Sequence, residues 1–146
     1  MTQSDSSVDE MNVDEAYRFL QDNPAAQLVD VRTRAEWTFV GAPLLPFRED
    51  GAIMLEWQSY PDMRIDADFV ARLDAELARR RVGADAALLF LCRSGARSHA
   101  AALAMKAAGR ARCVNVRDGF EGPLDAEGRR GRVAGWRAAG LPWRQS

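Results

Sequence analysis

Residues 86–91 read Ala-Ala-Leu-Leu-Phe-Leu and run directly into Cys92-Arg93-Ser94-Gly95-Ala96-Arg97-Ser98. A short apolar run with little in/out alternation is the pattern of a strand covered on both faces. The alanine-rich stretch 99–108 that follows has helical composition. Strand, short loop and helix therefore succeed one another. Few architectures accept a strand buried on both sides, and a parallel sheet between helix layers is the main one.

The rest of the chain repeats that alternation. Asn12 with Glu15 reads as an N-cap with an acidic residue three positions on, and Val13, Ala16, Tyr17 and Leu20 share one helical face. Asp22-Asn23-Pro24 ends that helix, and residues 27–32 form a second short apolar strand. Thr33 with Glu36 matches a capping box and starts a short helix reaching about Val40. Residues 42–47 suggest a strand interrupted by Pro43 and Pro46. Residues 48–65 read as a long excursion. Residues 66–81 predict a helix with Phe69, Val70, Leu73 and Leu77 on its apolar face, closed by Gly83. Gly109 closes the alanine-rich helix, 113–116 is a last strand, 119–131 a glycine-rich loop and 132–139 a final short helix. Residues 1–11 are polar and acidic and read as a disordered leader, leaving 12–146 as one domain.

Composition narrows the function classes. A length of 146 residues suffices for one domain with a sizeable core. A net charge of −1 gives no global reason to expect nucleic acid or an anionic membrane. No apolar run approaches the ~20 residues of a spanning helix, and no signal-peptide core opens the chain, so a cytoplasmic location is expected. One histidine, His99, and two cysteines are too few for a zinc site built from those ligands alone. Neither a dinucleotide-binding nor a phosphate-binding glycine loop is present, so neither a metal nor a cofactor is expected.

Cys92 carries the chemistry. Ligands of parallel sheets bind at the carboxyl ends of the strands, and Cys92 sits at such an end, before a helix N-terminus whose amides and dipole favour an anion. Arg93 and Arg97 flank the loop. Such surroundings favour the thiolate, the reactive form of cysteine. Cys113 begins the next strand. Parallel strands put strand end and strand start roughly 16 Å apart, whereas bonded cysteine Cα atoms lie within about 7 Å, so no disulfide is expected.

The stretch Cys-Arg-Ser-Gly-x-Arg-Ser over residues 92–98 resembles the active-site loop of the rhodanese family of sulfurtransferases. Asp30-Val31-Arg32 with Glu36 and Trp37 is similar to the family's first signature. Residues 114–122 are similar to its strand followed by Gly-Phe, and 135–143 to the end of its single-domain members. The resemblance implies a rhodanese-like three-layer α/β domain, with a central parallel sheet of about five strands flanked by helices. It implies a sulfurtransferase moving sulfane sulfur from thiosulfate or a persulfide donor through a Cys92 persulfide. The acceptor would be a thiol, cyanide or a protein cysteine. On that reading Cys92 is catalytic, and Arg93, Ser94, Gly95, Ala96, Arg97 and Ser98 bind the small anionic donor. Asp30, Arg32 and Glu36 hold the fold, and His99 has no required role. Trp57 and Tyr60 read as core aromatics, with a lid over the site as the alternative. The cluster Arg129-Arg130-Gly131-Arg132 reads as a solvated charge run.

The chain departs from the family pattern at Gly41-Ala42-Pro43-Leu44, where a Gly-His-Ile-Pro-Gly is usual, and at Asp118-Gly119-Phe120, where Gly-Gly-Phe is usual. Two other readings compete. A related phosphatase needs a Cys-x5-Arg loop, but only four residues separate Cys92 from Arg97. A non-catalytic binding module of the same fold commonly lacks the cysteine, which is present here.

Overall fold

The structure, a computed structural model, describes residues 7–145. The chain opens with strand β1 (Asp9–Met11) and helix α1 (Val13–Asp22), followed by β2 (Gln27–Asp30) and α2 (Arg34–Phe39). Next come β3 (Ala42–Pro43), β4 (Ile53–Met54) and the hairpin strands β5 (Gln58–Ser59) and β6 (Arg64–Ile65). Helix α3 (Phe69–Arg79), β7 (Leu88–Leu91), α4 (Ala96–Ala107), β8 (Cys113–Val116) and β9 (Trp143–Arg144) complete it.

The continuous apolar runs do form the middle of a sheet. Every residue of β2, β7 and β8 is buried. The five-stranded sheet has the order β1-β8-β7-β2-β4, and all its neighbours are parallel. Side chains alternate between two cores. Leu28, Leu89, Leu91, Val114 and Val116 meet Val13, Ala16 and Leu20 of α1, together with Phe120 and Trp136. Val29, Leu88, Phe90 and Cys113 meet Phe69, Leu73 and Leu77 of α3 and Ala101, Ala102 and Met105 of α4 on the other face. Burying one such large apolar side chain contributes about 1.5–3 kcal/mol. The expected three-layer α/β domain with five parallel strands is thus what the chain forms.

Local signals set the helix starts. Asn12 accepts from Glu15 N–H at 2.8 Å, and the Glu15 carboxylate accepts from Asn12 N–H at 2.9 Å. Thr33 and Glu36 close the second capping box in the same way. Helix α4 begins earlier than its alanine run, at Ala96, and Gly109 (φ +115°) follows it.

Several expectations are corrected. Asp9–Met11, read as part of a leader, is the edge strand β1 paired with Val114–Val116; residues 1–6 lie outside the described residues. Asp9 and Glu10 of this strand are exposed, and Met11 packs against the core. Residues 132–139 form turns and bends, not a helix, because Gly131, Gly135 and Gly140 take positive φ and break the run. Only Ala42–Pro43 of the 42–47 segment is extended, and it pairs with β9 outside the main sheet. Helix α3 closes through Arg81 (φ +61°), not Gly83. The 48–65 excursion contributes β4 to the sheet edge and then the β5–β6 hairpin. Arg48 anchors it to the carbonyls of Leu20, Asn23 and Ala26, and Arg80 to those of Asp50 and Gly51.

This topology locates the site. From β2 the chain moves outward to β4, then returns to β7 on the other side of β2. The order reverses between β2 and β7, and ligand crevices of open α/β sheets lie outside the carboxyl ends at that reversal. Asp30 and Cys92 sit there. Gly119 closes over them. A Cβ at Gly119 would lie 2.4 Å from the Cys92 carbonyl oxygen and 2.6 Å from that of Arg93, and its φ is +68°. Gly119→Ala is therefore expected to cost about 2–4 kcal/mol in urea unfolding. An unchanged midpoint would show that the loop tolerates a shift.

Candidate active site

Cys92 directly follows β7 with its side chain inside the protein, 1 % exposed. Gly95 adopts φ +114°, a conformation side chains rarely allow, and this turns its N–H onto Cys92 Sγ at 3.1 Å. Ser98, on the first turn of α4, places Oγ 3.2 Å from the same sulfur. The opening amides of α4 have no intrahelical partner and sit at the positive end of the helix. The Gly95 amide and the helix end thus favour negative charge on the sulfur, and the Ser98 hydroxyl lies within hydrogen-bond reach of it.

The loop is clamped from behind by the chain after β8. Phe120 N–H donates to Cys92 O at 2.8 Å, and Glu121 and Gly122 N–H donate to Arg93 O, each at 3.0 Å. Beneath it lies a fully buried ion pair. Arg32 Nη2 is 2.7 Å from Asp30 Oδ2 and also donates to Gly41 O at 2.8 Å. The same guanidinium stacks on Phe120 at 4.1 Å.

Arg97 and Glu36 make a bidentate pair at 2.7 and 2.9 Å, tying α4 to α2. Burial pushes the Glu36 carboxyl up. The hydrogen bond from Arg97, the Thr33 N–H, the Arg97 charge and the Thr33 hydroxyl outweigh that and hold it at about 2. Burial, conversely, raises the Cys113 thiol to about 11 against the nearby Arg110 and Lys106, so it stays neutral. Both cysteines are free, and Cys113 pairs in register with Leu88 at the far end of β7, as the parallel geometry requires.

A cleft of about 750 Å³ opens above Cys92. Arg93, Ser94, Ala96 and Arg97 line it. Ser98 lies beneath it, fully buried against the sulfur, and Gly95 forms the turn. Both terminal nitrogens of Arg97 are engaged by Glu36, so its place is that of a tie. Trp57 packs edge-on to Phe69 at 5.1 Å, as a core aromatic should. Tyr60 instead stands at the cleft mouth, 73 % exposed, with Phe39 at 76 % and Met63 at 37 %. Arg130, read as part of a solvated run, lines the cleft and donates to Gly122 O at 2.8 Å. His99 lines a separate hollow with Glu10, Asn115 and Asp118. Sequence reasoning missed Asn115, whose Oδ1 lies 2.6 Å from Ser98 Oγ. A lone polar residue in a strand otherwise composed of Cys113, Val114 and Val116 was its signal. Among the described residues no cluster of His, Cys, Asp and Glu is arranged to hold a metal ion, and no helix is long and apolar enough to cross a membrane.

A thiol under a cleft at the switch point of a five-stranded parallel α/β sheet is the architecture of a rhodanese-like domain. The chain is a member of the rhodanese-like domain family, whose pattern its residues 12–125 match. It is 38 % identical over 128 residues to the uncharacterized protein RC0915 of Rickettsia conorii, covering 88 % of this chain and 90 % of that protein. The crystal structure of Rv0390 from M. tuberculosis superposes with a TM-score of 0.81 at 45 % identity, over 96 % of this chain and 99 % of that one. The polysulfide-sulfur transferase homodimer of Wolinella succinogenes shares the fold at a TM-score of 0.58 and 20 % identity, over 98 % and 82 %.

The Glu36–Arg97 tie generates a pH prediction. A carboxyl held low in the folded state stabilises fully above its ordinary value of 4.5, and that contribution disappears as pH falls toward about 2. Wild type should lose thermal stability across that window. Glu36→Gln should start from a lower Tm near neutral pH and lose less on acidification. Equally steep acid limbs would show that the pair contributes nothing to folding.

Proposed function

We propose that this protein is a sulfurtransferase of the thiosulfate or persulfide-using kind, with Cys92 as the sulfur carrier and residues 93–98 as the donor-binding loop. The observation that carries this reading is a cysteine sulfur held by the Gly95 amide at the floor of a cleft that also presents Arg93 and Arg130. In the first half-reaction the Cys92 thiolate attacks the outer sulfur of the donor. The donor's S–S bond breaks, and sulfite or a thiolate leaves with the electron pair. Cys92–S–S⁻ remains. In the second, an acceptor nucleophile attacks the outer sulfur and Cys92 leaves as thiolate. Each step is covalent catalysis by an activated nucleophile. Fixed N–H groups stabilise the anionic sulfur without reorganising.

The cleft favours an acceptor with an organic body to bind. Phe39, Tyr60 and Met63 give it an apolar rim, suited to the body of a thiol rather than to cyanide alone. The phosphatase reading is disfavoured, because the Arg97 guanidinium is occupied by Glu36 and is not available to clamp a phosphate. The fold shared with the Wolinella polysulfide-sulfur transferase is consistent with sulfur as the cargo.

The direct test is intact mass after incubation with thiosulfate. Wild type should gain one sulfur atom per chain and lose it to cyanide. Cys92→Ser should stay folded, gain nothing and form no thiocyanate. A wild-type chain that gains no sulfur from thiosulfate or from an organic persulfide would mark a non-catalytic binding module instead.

Arg93 is exposed beside the cleft, and it should act on the donor through charge. Arg93→Ala is expected to lower kcat/KM for thiosulfate about tenfold, with a smaller loss for a less charged organic persulfide. Equal losses for both donors would assign Arg93 to holding the loop.

A further inference from the structure

We propose that Asn115 is a positioning residue that sets the direction of the Ser98 hydroxyl proton, and through it how readily Cys92 ionises. The proposal rests on Cys92 being the reactive sulfur. It concerns a residue outside the loop and its helix.

The Ser98 hydroxyl has fewer protons than neighbours to receive them. Ser98 Oγ is fully buried and lies within reach of three acceptors: Asn115 Oδ1 at 2.6 Å, Cys92 Sγ at 3.2 Å and Gly95 O at 3.2 Å. A hydroxyl has one proton to donate. The orientation of the Asn115 amide follows from its other contacts. Its Nδ2 faces the Glu10 carboxylate at 3.2 Å and Gly95 O at 3.3 Å, both acceptors. Turning the amide over would set an oxygen against both, so Oδ1 points at Ser98. The shortest contact then takes the hydroxyl proton, and Ser98 presents a lone pair to the sulfur.

That arrangement suits a thiol and not a thiolate. A neutral Cys92 can donate its S–H into Ser98 Oγ, continuing the chain Cys92 to Ser98 to Asn115. When Cys92 loses its proton, Ser98 can stabilise the anion only by rotating its hydroxyl from Asn115 to the sulfur. Asn115 Oδ1, 3 % exposed as a residue, then loses its donor, and an unsatisfied buried acceptor is costly. Asn115 therefore holds Cys92 toward the thiol. An apolar residue in its place leaves the Ser98 proton free for the sulfur.

Other charges surround Cys92. The buried Asp30–Arg32 pair lies at the end of β2, Glu36 on α2 and Arg97 on α4. Arg93, Glu121 and Arg130 face the cleft, and Glu10, His99, Arg117 and Asp118 face the hollow behind the loop. Glu10 loses the Asn115 Nδ2 donor when Asn115 is replaced, whereas none of the others bonds to the Asn115 side chain, and the Ser98→Ala background separates any Glu10 effect from that of the hydroxyl.

The experiment measures alkylation of the Cys92 peptide by iodoacetamide across pH, read by mass spectrometry so that Cys113 does not contribute. Asn115→Val should move the profile to lower pH and speed alkylation about threefold to tenfold on its acid side. Asn115→Leu serves as a second replacement should valine impair folding. In a Ser98→Ala background the same substitution should leave the profile unmoved. An unchanged profile in the single variant would overturn the proposal. So would a shift that persists without Ser98, because Asn115 would then act through Gly95 O or the Glu10 carboxylate. Alkylation does not require sulfur transfer. Failure of the sulfurtransferase reading would appear separately, as sulfur uptake retained by Cys92→Ser or absent from wild type.

Discussion

The buried Arg32 guanidinium is the contact on which the carboxyl edge of the sheet depends. It joins segments distant in the chain: Asp30 at the end of β2, the Gly41 carbonyl beyond α2, and the Phe120 ring beyond β8. Phe120 in turn donates its amide to Cys92 O. The sulfur site is therefore referenced to β2 through one arginine and one aromatic ring. Arg32 Nη1 has no hydrogen-bond partner among the described residues, so the pair leaves one buried donor unsatisfied. Removing one member of such a pair typically costs about 3–5 kcal/mol, whereas an apolar pair of the same shape can be as stable or more so. Its value here is geometric. It fixes where the chain turns after β2, and with it where α2 presents Glu36 to Arg97.

Legibility in the sequence followed locality. The strands at Leu28 and Leu88 were readable because burial on both faces demands unbroken apolar runs. The helix starts at Asn12 and Thr33 were readable because a capping box lies within four residues of chain. β1 was not, since a three-residue edge strand joins mainly through its backbone and offers Met11 as its one apolar side chain beside exposed Asp9 and Glu10. The 132–139 segment misled because Trp136 and its alanines suit a helix, while Gly135 (φ +105°) packs its backbone against Gly122. The Glu36–Arg97 pair, 61 residues apart in the chain, and the arrival of Arg130 at the cleft depend on tertiary packing alone. At the site, the cysteine loop was legible and its environment was not.

The difference has a structural cause. The floor of the site comes from β7, the loop and α4, which are consecutive in sequence and locked by backbone hydrogen bonds. The mouth comes from the end of α2, the β5–β6 hairpin and the loop carrying Arg130. These segments carry little periodicity because they bury little. Loops on a rigid scaffold can vary without disturbing the core. On the proposed mechanism, the chemistry belongs to the legible floor and the choice of donor and acceptor to the mouth.

The same division orders the electrostatics of the proposed cycle. In the resting loop, negative charge on Cys92 would sit on Sγ, beside the Gly95 amide and Ser98. Once sulfur is loaded, the charge moves to the outer atom, toward the cleft that holds Arg93 and Arg130. The nearby buried charges are already paired, Asp30 with Arg32 and Glu36 with Arg97, so they hold position without competing for the sulfur. A neutral amide and one rotatable hydroxyl proton are then enough to serve Sγ in both forms. A fixed cation against Sγ would hold the bare thiolate too well and oppose the outward shift of charge that loading requires. That is the physical reason for a site whose floor is built from neutral donors and whose free arginine stands at the opening.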